Sequence, residues 1–154
     1  MISQVRGTFE KFEVNMETKD ATFNGAKVEC SILVDSIKTQ IKDRDDHLKS
    51  PDFFDTQLFP LMEFRSHAVI PKTANEYELR GALTIKNVTR PINLSIVYNG
   101  SDEDQYGKVK YGFEITGKIN RKDWGLDFNV PGGRSTLLIG DEVILEANIQ
   151  MMKV

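Results

Sequence analysis

Apolar and polar residues alternate one by one along most of this chain. Only an extended strand sorts such a pattern, because successive strand side chains point to opposite faces. In "KVECSILV", Val28, Cys30, Ile32 and Val34 share one face while Lys27, Glu29 and Ser31 take the other. The same spacing sets Met62, Phe64, Ala68 and Ile70 against Glu63, Arg65 and His67, and Leu79, Leu83 and Ile85 against Arg80, Thr84 and Lys86. It groups Ile92, Leu94, Ile96 and Tyr98, then Val109, Tyr111, Phe113, Ile115 and Ile119. Finally, Val143, Leu145, Ala147, Ile149 and Met151 lie opposite Glu146, Asn148 and Gln150. With "VRGTFEKFEVNM" as a further strand, the chain reads as seven strands, each with one wet face. That pattern predicts an all-β fold of antiparallel sheet or barrel, since parallel sheets covered by helices read as continuous apolar runs. The links "TANE", "KNVTRP" and "NGSDEDQYG" carry turn chemistry, which makes sequential strands neighbours.

The stretch from about 39 to 59 breaks the alternation. In "QIKDRDDHL" Ile41 and Leu48 stand seven apart, and "SPDFF" offers Ser50 as an N-cap with Pro51 at the first helical position, so one or two short helices are expected here. A chain of 154 residues suits a single domain over 1–154. Its net charge of -3 provides no general attraction to phosphate backbones, so no nucleic-acid partner is expected. The one cysteine, Cys30, can make no internal disulfide and shares a face with Val28 and Ile32, which predicts a small buried hydrophobe. "MISQVRGTFEKFEV" lacks the basic start, apolar run and small-residue site of a secretory signal, and no stretch reaches the ~20 apolar residues of a membrane helix. The polypeptide as written is therefore expected to be cytoplasmic and without stable membrane insertion.

"RDDHLKSPDFFD" holds one of the two histidines within a cluster of ions. Asp43 and His47 stand four apart and would share a helical face, but His67 is the only other histidine and no strained GxSxG-type turn accompanies them. A solvated helix, with Arg44 paired to nearby carboxylates and Leu48 turned inward, is the favoured reading, and neither catalysis nor a metal is expected. Phe53, Phe54, Leu58, Phe59 and Leu61 crowd large apolar groups outside any regular strand, which predicts a cap over one barrel end that is core on one side and pocket wall on the other. Trp124, Leu126 and Phe128 alternate as a strand would, with Gly125 allowing a bulge, and are read first as packing and second as ligand contacts. "VPGGRSTLLIG" lacks the Lys-Ser/Thr that follows the glycines of a phosphate loop, and reads as a turn.

Across nearly its whole length, "VRGTFEKF", "RDDHLKSPDFFDTQLFPLMEFRS", "LRGALTIKNVTRPINLSI", "INRKDWGLDFN" and "LIGDEVILEANIQ" resemble, in order, the YceI-like polyisoprenoid-binding family. The resemblance implies an eight-stranded, lipocalin-like antiparallel β-barrel with a helix near one end, carrying long apolar molecules such as isoprenoid chains and isoprenoid quinones. Members begin with one more strand, which contains "HS" and ends in "KH"; the seven strands here correspond to that family's eight without the first. Three arrangements stay open: an internal start within a longer protein, a partner supplying the strand, or a sheet that bends until it closes. The first ranks highest because Met1 falls where members often have an internal Met. If a preceding segment carries a signal, the location becomes periplasmic or secreted. Unpaired edges would also invite a homodimer.

The resulting expectation is non-catalytic binding, with transport or storage, of a polyisoprenoid, isoprenoid quinone or similar lipid inside the barrel, with no cofactor. A lipid-modifying enzyme using His47 with an aspartate, or an assembly module acting through open edges, are the alternatives. The expected lining is Ile32, Val34, Phe53, Phe54, Phe59, Phe64, Leu83, Ile85, Leu94, Ile96, Phe113, Ile115, Trp124, Leu126, Phe128 and Leu145, with Arg6, Arg44, His47 and Asn129 as polar head-group contacts.

Overall fold

The computed structural model describes residues 5–20, 22–128 and 140–154. Among these described residues nine strands form, β1 (Thr8–Phe9), β2 (Phe12–Glu17), β3 (Lys27–Leu33), β4 (Ile37–Lys38), β5 (Leu61–Pro71), β6 (Glu76–Ile85), β7 (Val88–Glu103), β8 (Val109–Asn120) and β9 (Glu142–Met152), with one α-helix, α1 (Lys42–Lys49). Seven of them make one sheet in the order β2-β3-β5-β6-β7-β8-β9, every neighbour antiparallel, while β1 and β4 pair separately. The sheet curls into a lipocalin-like half-barrel whose outer strands are β2 and β9. All seven predicted strands are present, but the first breaks after Phe9 so that its start pairs with β4 and the rest with β3. β7 runs on through Glu103, taking in half of the expected polar loop. Pro91 sits within β7 where the ladder to β8 has not begun, since that pairing starts at Ser95, so its missing N–H breaks no bond.

Inward parity holds in β3, β6, β7, β8 and β9, and fails in β5. A bulge between Ser66 and Ala68 shifts the register, so that Val69 lies opposite the buried Leu79 and faces inward, while Ala68 and Ile70 lie opposite Arg80 and Glu78 and face outward. One extra residue reverses a period-two pattern from that point on. Gly81 sits opposite Ser66, under the ring of Phe64; a Cβ there would lie 2.4 Å from the Arg65 carbonyl oxygen and 2.5 Å from Phe64 Cζ. The core gathers Val28, Val34, Met62, Phe64, Leu79, Leu83, Ile85, Ile96 and Phe113 from five strands and the turn after β3.

Different elements sit at the two ends of the half-barrel. At the upper end, the link between β2 and β3 folds Phe23 inward, edge-on to Tyr77, Tyr98 and Phe113. At the lower end lie α1 and a 3-10 turn at Arg121–Trp124. Trp124 is in that turn, not in the expected strand, and its indole N–H donates to the Leu83 carbonyl at 2.9 Å. Gly125 ends the turn at φ 75°, a left-handed conformation suited to glycine, and no bulge forms. Ser50 closes α1 and does not open a second helix: its N–H and hydroxyl both donate to the His47 carbonyl, and 51–54 form a turn.

Candidate functional site

The concave inner face of the sheet is the candidate site. The expected lining residues divide there into two groups. Val34, Phe64, Leu83, Ile85, Ile96, Phe113, Trp124 and Leu126 are buried in one cluster, and Phe53 is buried apart from it against His47 and Phe128; these contribute stability before they contribute any surface to a guest. Ile32, Phe54, Phe59, Leu94, Ile115, Phe128 and Leu145 are half-buried and keep apolar area available. Ile32, Leu94, Ile115 and Leu145 are inward by register, whereas Phe59 does not join the buried cluster.

The sheet does not close over this face. Val14, Met16, Val28, Ile96, Phe113, Ile115, Ile149 and Met151 line an apolar cleft between β2 and β9 that encloses about 10 Å³, room for roughly one water. Of the three arrangements left open for the seam, the sheet does not bend until it closes: β2 and β9 have no ladder between them among the described residues, so the groove is open along one side. Phe12, opposite Ile32, and Val143, opposite Ile119, face inward yet are 51% and 36% exposed, and mark the lower mouth of the groove.

The ion-rich segment beneath the mouth is tied to itself. Asp45 accepts hydrogen bonds from the Thr39 N–H and hydroxyl, and Arg44 donates from Nε to Thr39 Oγ1 at 2.8 Å and from Nη2 to the Thr39 carbonyl. These bonds anchor the start of α1. The pairing of Arg44 with carboxylates predicted from sequence is replaced by this bonding to Thr39, and the guanidinium is used in the fold. Lys42 donates to Asp46 at 2.7 Å, which holds the exposed Asp46 carboxyl below its ordinary range and lifts Lys42 above its own. His47 Nε2 lies 2.8 Å from Asp52 Oδ2, with its ring edge-on to Phe53 and Phe128 at 5.1 and 4.9 Å. Phe53 and Phe128 also meet edge-on, so three rings form the wall under the lower end. Of the apolar groups expected to cap this end, Phe53 is buried and Phe54 packs edge-on against Phe9, whereas Leu58 and Leu61 are exposed.

Of the expected polar contacts, Arg6 is exposed ahead of β1, His47 is on the rim, and Asn129 lies outside the described residues. Two residues were not anticipated from sequence. Phe23 is an aromatic in a turn segment, and only its 8% exposure reveals it as a plug. Arg90 lies opposite Leu83 and so faces inward at the lower end; its Nε donates to the Asp123 carbonyl at 3.1 Å. Among the described residues it shares the inward face of the seven strands with one other charged side chain, Glu103, at the far upper end. Counting alternate residues from Leu94 back through Ile92 would have found it. Cys30 is on the inner face as expected, and burial pushes its thiol above the ordinary range.

A family profile described as the YceI-like domain matches residues 1–151. A UPF0312 protein of Staphylococcus epidermidis is 35% identical over 151 residues, spanning 97% of this chain and 85% of the relative. A UPF0312 protein of Staphylococcus aureus is 34% identical over the same shares. Among solved structures, the YceI protein of Campylobacter jejuni aligns with a TM-score of 0.88 at 27% identity, covering all of this chain and 88% of that one. BcnA of Burkholderia cenocepacia aligns with a TM-score of 0.78 at 24% identity over 94% and 86%, a likeness of fold.

Proposed function

The chain belongs to the YceI-like family, and from that membership we propose that it binds a long apolar molecule, of the polyisoprenoid or isoprenoid-quinone kind, along its concave face and carries it without chemical change. The observation that supports this reading is the strip of half-buried apolar side chains, Ile32, Leu94, Ile115 and Leu145, running inward from the exposed Phe12 at the lower mouth. Ligand pockets commonly hold about 300–1,000 Å³, far beyond the enclosed cleft, so the guest lies in the open groove or spreads the edges as it enters. A ligand of ~35 heavy atoms at roughly 0.3 kcal/mol per atom would reach about 10 kcal/mol if fully enclosed. One open side reduces this toward the micromolar range, near 8 kcal/mol by ~RT ln Kd.

Because apolar attraction is non-directional, the groove selects by length and girth. Arg90 is the group best placed to read a polar or anionic head at the mouth, with Arg6 and His47 on the rim. The reading calls for no cofactor. Titration of extracted protein with an isoprenoid quinone, followed by quenching of Trp124 fluorescence, tests it: saturable binding that Leu145→Lys abolishes is expected. A protein that emerges empty from native mass spectrometry and ignores the added quinone sinks the reading. The His47–Asp52 pair keeps one rival in view, a lipid-modifying enzyme. Ligand recovered unchanged after long incubation supports carriage, whereas conversion that vanishes in His47→Ala favours the rival.

A further inference from the structure

The concave face meets solvent at one end and aromatic rings at the other. At the lower mouth, the inward side chains of Phe12 and Val143 are exposed. At the upper end, Phe23, Tyr77 and Phe113 are all buried. Phe113 belongs to both regions: with Ile115 and Ile149 it walls the apolar cleft, and Phe23 stands edge-on to it at a centroid distance of 5.4 Å. An apolar chain that enters below and follows the strands therefore runs toward the Phe23 ring.

The backbone holds that ring in place. Phe23 adopts φ 61°, a left-handed conformation that a residue with a side chain keeps only where its surroundings enforce it. Bonds on both flanks supply the enforcement. The Tyr77 hydroxyl donates to the Thr22 carbonyl at 3.0 Å, and the Ala26 N–H donates to the Phe23 carbonyl at 3.2 Å. Asp20 accepts from the Thr22 N–H at 2.9 Å, which fixes the approach to the turn. Edge-on contacts with Tyr77 and Tyr98 hold the ring itself. A side chain tied before and behind is a fixed stop, where a swinging lid would be tied on one side.

We propose that Phe23 is the end stop of the groove and sets the longest apolar tail that the protein encloses, with the head of the guest left at the lower mouth. This rests on the lipid-binding reading above and adds a length to it. Six residue steps separate Ile119, opposite Val143 at the mouth, from Phe113 beside the stop. At ~3.4 Å per step this is about 20 Å, the extended length of roughly four isoprene units. Carbons within that length exchange water for the inner face, and carbons beyond it stay outside the mouth and add nothing.

A set of benzoquinones bearing one to seven isoprene units, titrated into the full chain and read by quenching of Trp124 at the lower end, tests the stop. Affinity should strengthen about tenfold with each unit up to about four and then level off. In Phe23→Leu, which keeps an apolar side chain in the cluster, and further in Phe23→Ala, the levelling should move to longer tails. Melting curves report that each variant is folded, and the leucine variant carries the test if the alanine variant does not fold. Wild-type affinity that climbs about tenfold again from five units to six overturns the stop. So does a levelling that stays at the same length in folded Phe23→Leu. Quinones that fail to bind at every length sink the lipid reading and the stop with it, whereas binding without a length limit sinks the stop alone.

Discussion

Removing the ring of Phe23 should be among the costliest single changes in the molecule and should open the upper end of the half-barrel. The side chain is 8% exposed and meets Tyr77, Tyr98 and Phe113 edge-on at centroid distances of 6.1, 5.1 and 5.4 Å. Truncating a buried Phe to Ala costs about 3–5 kcal/mol, a total that includes ~0.5–1.5 kcal/mol for each edge-to-face pair. Three such pairs place Phe23→Ala toward the top of that range. The backbone adds a second, separable effect. Phe23 holds φ at 61°, a left-handed conformation that costs a side-chain-bearing residue about 1–2 kcal/mol. Alanine retains this cost; glycine removes it but gains about 0.4–1 kcal/mol of unfolded-state freedom. Phe23→Gly should therefore equal Phe23→Ala or exceed it in stability by up to about 1.6 kcal/mol. Urea unfolding at 25 °C with matched slopes measures both differences. A loss below about 1 kcal/mol in Phe23→Ala would refute the plug, and a glycine variant clearly less stable than the alanine variant would refute the argument from φ.

Trp124→Phe keeps an aromatic ring but removes the indole donor to the buried Leu83 carbonyl together with part of the buried volume, and should cost at least about 1–3 kcal/mol in the same assay; a neutral result would mean that water takes the place of the indole. Gly81→Ala should destabilise by about 1–3 kcal/mol or more, because the clash involves the Arg65 backbone. Gly117→Ala should cost less, since its close neighbour is Leu94 Cδ2, the end of a side chain that can turn; the reverse order of melting temperatures would refute the distinction. Arg90→Met should weaken binding of an isoprenoid with an anionic head by about tenfold while leaving an uncharged isoprenoid unaffected, and equal loss for both would remove Arg90 from head-group recognition. Burial raises the Cys30 thiol, so the folded state prefers the protonated form: that contribution is complete below the unfolded thiol's range and is lost as alkaline pH passes through the raised value. Stability should fall on that limb, and Cys30→Ala should flatten it in pH-dependent urea unfolding.

The strands were legible because each has one wet face, and a period of two survives any detail of packing. The family motifs were equally legible, since "RDDHLKSPDFFD" is a fixed string wherever its side chains turn. The roles inside that string were not. Ser50 and Pro51 carry the local signs of a helix start, yet a helix ends there, because α1 is already anchored at its own start by Thr39, Arg44 and Asp45. His47 drew attention as chemistry and is bound into a wall with Phe53 and Phe128.

Sequence by itself determined the all-β class, the inward parity of most strands and the apolar character of the concave face, because alternation is a local property of an extended backbone. Tertiary structure alone decided which inward residues are sealed and which keep exposed area. The β5 bulge turns Val69 in and Ile70 out, Phe23 reaches from a loop to close one end, and Arg90 enters the inner face through its register with Leu83. Burial is set by what lies across the curled sheet, and those contacts join residues far apart in the chain, where no local pattern can record them.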